Sequence, residues 1–302
     1  MRKQCPNCQS FHTIKKGTRH TKQRFKCLDC GKWFSFSNSI PSNAKILLFD
    51  IETAQMEVKV WQLKQHGFIQ HHRIVKDWFI LCWSAKWLYS NETIGECVTP
   101  KEAKKRDDLR IMIPMWKLLD EADIVIGHNV KKFDVGKINA RFSDHGFTNP
   151  PLPYQIIDTL LQSRGTFNYS SHKLDFITGF LKLPQKLKTE IELWDGCEAG
   201  KKEYLDRMFE YCNNDVVINE EVYLLERSWM KNHPNLPLYG DLNEERCSYC
   251  NSTNLQKIKG KYYVTPMNKY PLYRCECGAV SRGRKSVITP QQKSNLVRSI
   301  AR

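Results

Sequence analysis

The sequence has no long apolar run. The longest, residues 78–83, is bounded by Asp77 and Ser84 and falls far short of the roughly 20 residues of a membrane span, so no membrane association is expected. The opening Met1-Arg2-Lys3-Gln4-Cys5-Pro6 has none of the apolar stretch of a secretory signal, and a cytoplasmic location is expected. Acid is scarce at both ends. Nine Lys/Arg face one acid over residues 1–36 and twelve face three over 244–302, so the net charge of +15 sits at the ends and the middle is nearly neutral. Basic ends suit a polyanion, because each neutralised phosphate releases counterions. No long internal repeat is visible. Without an oxidising compartment, the twelve cysteines, eight of them in close pairs, read as zinc ligands rather than disulfides.

Links at 37–43 and 233–237, both polar and proline-containing, separate a small unit at 1–36, a long segment at 44–231 and a third unit at 244–286. A basic tail follows at 287–302. In the long segment, 45–52 is apolar on both faces, the pattern of a covered central strand. Residues 58–63, 78–88 and 123–127 read as further strands. Residues 101–121, 131–145, 171–181 and 201–229 read as helices, the last with a break near Asn213. Strands first, then alternating helices and strands, imply an α/β fold with a mixed sheet.

Asp50 and Glu52 lie two apart on the first strand and therefore point the same way. Two neighbouring carboxylates at a covered strand's end repel each other and lose hydration; a divalent cation reverses that balance. Asp134 follows a short apolar strand and Gly127-His128-Asn129, with Asn129 expected to cap or lead into a helix. Tyr211 and Asp215, four apart, share one helical face. Taken alone, Asp50 and Glu52 are as well explained by a solvated strand end. Asp134 alone is better explained as an acid favoured at a helix N-terminus, and Asp215 as an exposed acid beside a core-packed Tyr211. Asp50-x-Glu52, Asn129 through Phe133-Asp134, and Tyr211-x-x-x-Asp215, in this order, resemble the three exonuclease motifs of the DnaQ-like (ribonuclease H-like) DEDD superfamily over residues 44–229. The second motif, with Arg141 beyond it, is similar to that of family B DNA polymerase proofreading domains, and 171–181 resembles the helix between the second and third motifs. Position 210 is Glu rather than His, which places the resemblance with the tyrosine (DEDDy) branch. The chain shows no polymerase motifs.

The resemblance implies a ribonuclease H-like mixed β-sheet with flanking helices and a 3′→5′ exonuclease. Two Mg²⁺ or Mn²⁺ would be held by Asp50, Glu52, Asp134 and Asp215, with Tyr211 orienting the attacking water. Asn129, Phe133 and Arg141 would contact nucleic acid. Residues 56–100 map onto no motif; Trp61, Trp78, Trp83 and Trp87 there are expected in the core, the alternative being that one or two stack on bases.

Cys5-x-x-Cys8 and Cys27-x-x-Cys30, eighteen residues apart, have the spacing of a closed four-thiolate zinc site. Lys15, Lys16, Arg19, Lys22 and Arg24, with Trp33 and Phe34 after them, resemble the N-terminal zinc ribbon of insertion-sequence transposases, which implies DNA binding; His12 and His20 are not needed as ligands. Cys247-x-x-Cys250 and Cys275-x-Cys277 form a less regular second set. Lys257, Lys259, Lys261 and Arg274 lie between or beside its pairs among tyrosines, and Arg282 and Arg284 follow, a composition suited to phosphate contacts and base stacking. Two structural Zn²⁺ are expected, and nucleic acid as partner, DNA ahead of RNA, with replication or repair proteins as further partners. Two alternatives stay open: a ribonuclease or structure-specific endonuclease on the same fold, and an inactive DNA-binding or transposase-accessory protein.

Overall fold

The computed structural model describes residues 5, 7–8, 10–19, 22–37, 44–64, 67–240, 242–298 and 300. At Lys15, Gly17–Arg19, Lys22, Gln23 and Ser35–Ser37 it describes the backbone alone. His20, most of the expected 37–43 link and the last two residues of the basic tail lie outside the described residues. The chain divides into Lys45–Leu224 and a second unit made of Met1–Ala44 and Leu225–Arg302.

In the second unit, Thr13–Arg19 (β1), Lys22–Cys27 (β2) and Trp33–Ser37 (β3) form an antiparallel sheet in sequential order. The first unit runs through Ile46–Thr53 (β4), Glu57–Val58 (β5), Ile74–Lys76 (β6), Ile80–Trp87 (β7), Ile94–Cys97 (β8), Pro100–Lys105 (α1), Leu109–Glu121 (α2), Ile124–Gly127 (β9), Asp134–Asp144 (α3), Gln155–Asp158 (β10), Thr159–Thr166 (α4), Leu174–Phe180 (α5), Ile191–Glu198 (α6) and Lys202–Glu226 (α7). The chain then forms a second antiparallel sheet from Leu255–Thr265 (β11), Asn268–Cys275 (β12) and Val280–Arg282 (β13), and ends with the short helix Pro290–Ser294 (α8).

The central sheet of the first unit is mixed and open, in the order β10-β9-β4-β7-β8. β4 runs parallel to β9 and antiparallel to β7. Helices cover both faces, and two consecutive residues of β7 show it. Cys82 Sγ reaches the Met208 carbonyl of α7 at 3.9 Å, and Trp83 Nε1 donates to the Ile111 carbonyl of α2 at 2.7 Å. Neighbouring strand residues point to opposite faces, so α7 lies on one side and α2 on the other. Leu47, Phe49, Ile80, Leu81 and Val125 are buried between them. This is why β4 reads as apolar on both faces up to Phe49. Among the described residues, no helix is long and apolar enough to cross a membrane.

Several elements differ from the sequence expectations. The helix expected at 101–121 is two. α1 starts at a capping box, with Thr99 accepting from the Glu102 N–H and Glu102 accepting from that of Thr99. It stops where Arg106 turns left-handed at φ 57°. The helix at 131–145 begins only at Asp134; Asn129 is not its cap, since it has φ 70° and its carbonyl closes a turn with the Lys132 and Phe133 N–H groups. α7 is unbroken through Asn213, whose side chain accepts from Ser84 Oγ at 2.6 Å. The strand expected at 58–63 is only Glu57–Val58, and Trp61 is 89% exposed. Trp83 is buried, while Trp78 and Trp87 pack against the core. β8 and β10 correspond to no expected strand; each is a four-residue edge strand, too short to display a period.

Candidate metal centre

Asp50 and Glu52 stand at the end of β4 where it outruns its parallel neighbour. Pairing with β9 ends at Leu48↔Ile126, so beyond Phe49 that edge of β4 is open. Asp134, the first residue of α3, fills part of it: its Oδ1 accepts from the Ile51 N–H at 3.2 Å. The loop that delivers α3 depends on Gly127, where a Cβ would lie 2.6 Å from that of Val130. Asp158, at the end of β10, accepts from the Asn129 and Lys131 N–H groups at 3.1 Å each and also caps α4. Asp158 is absent from the sequence-derived site. Its signal was an acid after the apolar pair Ile156-Ile157 and before Thr159, the mark of a strand running into a helix cap.

From the opposite face α7 brings Tyr211, Cys212 and Asp215. Carboxylate oxygens of Asp50, Glu52 and Asp215 all lie within 4.8 Å of one another. One oxygen of this set, Asp215 Oδ1, is buried without a hydrogen-bond partner, which is costly for a carboxylate. Asp50 meets little more than the weak Cys212 thiol, at 3.8 Å from Oδ2. Three crowded carboxylates with open lone pairs and oxygen-only chemistry fit a hard divalent cation.

The electrostatics agree. Burial, then the charges of Asp134, Glu52 and Asp215, raise the Asp50 pKa well above the ordinary carboxylate range. Burial pushes Glu52 up to about 8 and Asp134 to about 7, and Asp215 is raised by burial as well. The Lys186 charge offsets that of Asp50, Glu52 and Asp215. Lys186 Nζ lies 2.5 Å from Asp215 Oδ2 and 4.6 Å from the Tyr211 ring centre. Burial works against its ammonium, yet the Asp215 charge holds its pKa above the ordinary value. Lys186 also escaped sequence reasoning; it sits among several lysines in the loop after α5 with nothing to distinguish it. Burial, then Asp215, raises the Tyr211 hydroxyl to about 12, so it stays protonated at neutral pH.

The residues expected at nucleic acid are placed as follows. Asn129 projects from the loop before α3, and among the described residues its side chain makes no hydrogen bond. Phe133 is 38% exposed beside the Lys137 ammonium, 4.8 Å from its ring centre. Lys137 also lies 4.0 Å from the Trp78 ring centre and donates to Thr53 Oγ1 at 3.1 Å. The Arg141 guanidinium holds Asp108 and Asp144 at 2.7 Å each. It ties α3 to the start of α2, a positioning contact within the fold.

The eight paired cysteines form two clusters. Cys5, Cys8, Cys27 and Cys30 gather within 4.8 Å, as do Cys247, Cys250, Cys275 and Cys277. The closest sulfurs are 3.5 Å apart in each cluster. A tetrahedron of sulfurs about 2.3 Å from zinc has edges of roughly 3.8 Å, so both sets are consistent with zinc-ribbon-like sites. All the cysteines are free thiols. In the first ribbon Arg24 stacks over Trp33 at 4.5 Å and Lys16 is exposed; the side chains of Lys15, Arg19 and Lys22 lie outside the described residues.

No protein-family model matches the chain, and no curated protein matches it.

Proposed function

We propose that this chain is a metal-dependent 3′→5′ exonuclease of the DnaQ-like DEDD group, tyrosine branch, with a ribonuclease H-like catalytic domain at 44–231, zinc ribbons at 1–36 and 244–286 that grip DNA, and a basic tail at 287–302. One observation carries the reading: Asp50, Glu52 and Asp215 converge within 4.8 Å and leave a buried carboxylate oxygen unbonded, on the residues that the three motifs single out. Asp134 adjoins them through its hydrogen bond to the Ile51 N–H.

In this reading Asp50, Glu52 and Asp215 hold Mg²⁺ or Mn²⁺, with Asp134 completing the site. Divalent ions there supply Lewis acidity and neutralise charge on phosphoryl oxygens. Tyr211, protonated at neutral pH, serves as a hydrogen-bond donor that orients water rather than as a base. Lys186 keeps Asp215 in place and moderates repulsion in the cluster. Asn129, with uncommitted amide groups, and Phe133, with an exposed ring, suit the strand end beside Asp134.

The test uses single- and double-stranded DNA and RNA labelled at either end, with Mg²⁺ or Mn²⁺ or with neither, for the wild type and Asp50→Ala. The expected outcome is stepwise release of nucleotides from 3′ ends of DNA, dependent on metal and lost in the variant. Preference for RNA or internal cuts would move the activity to the ribonuclease or endonuclease alternatives. Binding without cleavage of any substrate would leave an inactive nucleic-acid-binding protein.

A further inference from the structure

The second ribbon carries its cations on a sheet whose two faces differ. In the β12 ladder, Tyr270 pairs with Tyr263, Leu272 with Arg282, and Arg274 with both Gln256 and Val280. Directly paired residues and alternate residues along a strand share a face. One face therefore holds Gln256, Tyr263, Tyr270, Arg274, Val280 and Arg282. The other holds Lys257, Tyr262, Lys269, Pro271, Tyr273 and Cys275. Gly260, at φ 74°, lies where the register shifts between Lys257 and Tyr262, so Lys259 and Lys261 fall in the irregular stretch rather than in the ladder.

The faces differ in what packs on them. On the second, Pro271 and Cys275 are buried, the Tyr273 hydroxyl donates to Glu245, and Gly283 allows Pro271 and Tyr273 to close in. Lys257, Lys269 and Tyr262 are exposed there, with the Lys269 ammonium 4.1 Å from the Tyr262 ring centre. On the first, Gln256, Arg274, Val280 and Arg282 are exposed and Tyr263 is 49% exposed. Its residues include no acid. The Arg282 guanidinium lies 4.5 Å from the Tyr270 ring centre and 5.1 Å from that of Tyr263. No ion pair engages Arg274 or Arg282 among the described residues. The rings hold Arg282 in a fixed place while leaving its N–H groups to an external acceptor.

We propose that this face is a binding surface for single-stranded nucleic acid, with Arg274 and Arg282 on phosphates and Tyr263 and Tyr270 against unstacked bases. Charge complementarity selects a polyanion. The exposed Tyr263 ring beside the half-buried Tyr270 selects a strand whose bases are free to stack, which a duplex does not offer. The inference deepens the nuclease reading and rests on it for the identity of the substrate. It narrows the candidate contacts of this ribbon to two arginines and two tyrosines on one side of one sheet.

The test measures fluorescence anisotropy of a labelled oligonucleotide, as single-stranded DNA, single-stranded RNA and duplex. The protein is the full zinc-loaded chain carrying Asp50→Asn, so binding is read without cleavage and stands or falls apart from the nuclease assay. Arg274→Gln with Arg282→Gln is compared with Lys257→Gln with Lys269→Gln, which removes the same charge from the opposite face. The arginine pair is expected to weaken single-strand binding about tenfold or more and to flatten the log–log salt dependence by about 1.4, for two phosphates at roughly 0.7 each. The lysine pair should change affinity by less than about threefold. Tyr263→Ala with Tyr270→Ala should weaken binding about tenfold with zinc content unchanged; Tyr263→Phe with Tyr270→Phe, which keeps the rings, should restore it. Equal losses from the arginine and lysine pairs, duplex binding as tight as single-strand binding, or no binding to any of the three would overturn the proposal.

Discussion

Asp50 and Glu52 show why a single residue rarely declares its role. Their spacing on β4 places both on one side, and that much was legible in the sequence. What was not legible is the company they keep. Lys186 reaches Asp215 from a loop, Asp158 pins the Asn129 turn, and both depend on approaches between segments 27 to 29 residues apart. The raised pKa values carry a sign. Unfolded Asp and Glu titrate near roughly 4, whereas folded Glu52 and Asp134 titrate near about 8 and 7. Between those limits the folded state holds more protons, so without divalent metal stability falls as pH rises from about 4 through 8. Thermal midpoints of the zinc-loaded protein between pH 5 and 9 should therefore fall more steeply for the wild type than for Asp50→Asn. Added Mn²⁺ should raise the wild-type midpoint most at the alkaline end. Parallel curves for the two proteins would mean the carboxylates are not strained by one another.

At the scale of elements, the strand that carries Asp50 and Glu52 was readable because β4 is apolar on both faces up to Phe49, and β9 because Ile124–Ile126 are apolar. The edges and boundaries were not. β8 and β10 are too short for a pattern, and the break between α1 and α2 is set by a tertiary requirement. That requirement is Asp108. Its side chain is fully buried, accepts from the Ile80 N–H at 2.7 Å, and meets Arg141 at 2.7 Å and His145 at 2.5 Å. One carboxylate thus fastens the start of α2 to β7 and to the end of α3. The residue-level motif assigned Arg141 to nucleic acid; in the structure its guanidinium also takes part in this junction. Asp108→Ala would leave a nearly buried guanidinium and an unpaired strand N–H, a loss of about 3–5 kcal/mol. Urea unfolding followed by tryptophan fluorescence checks this. A loss below about 1 kcal/mol would show that the junction contributes little.

The molecule as a whole carries two kinds of candidate metal site in one chain: two sets of four thiols and one set of carboxylates. The cysteine pairs were legible from spacing alone, since short C-x-x-C and C-x-C units bring their own ligands together. The carboxylate centre takes its acids from β4, α3 and α7, and only the order of motifs along the chain hinted at it. Softness of the ligands separates the sites, with zinc favoured at thiolates and Mg²⁺ or Mn²⁺ at carboxylates. The most direct test of the central claim is a Mn²⁺ titration of the zinc-loaded protein followed by electron paramagnetic resonance, with zinc content measured alongside. Wild type is expected to bind Mn²⁺ while retaining two zinc ions per chain, and Asp50→Asn to lose the Mn²⁺ and keep the zinc. Equal Mn²⁺ binding by the two proteins, or none by wild type, would contradict the assignment of Asp50, Glu52 and Asp215 as a metal centre.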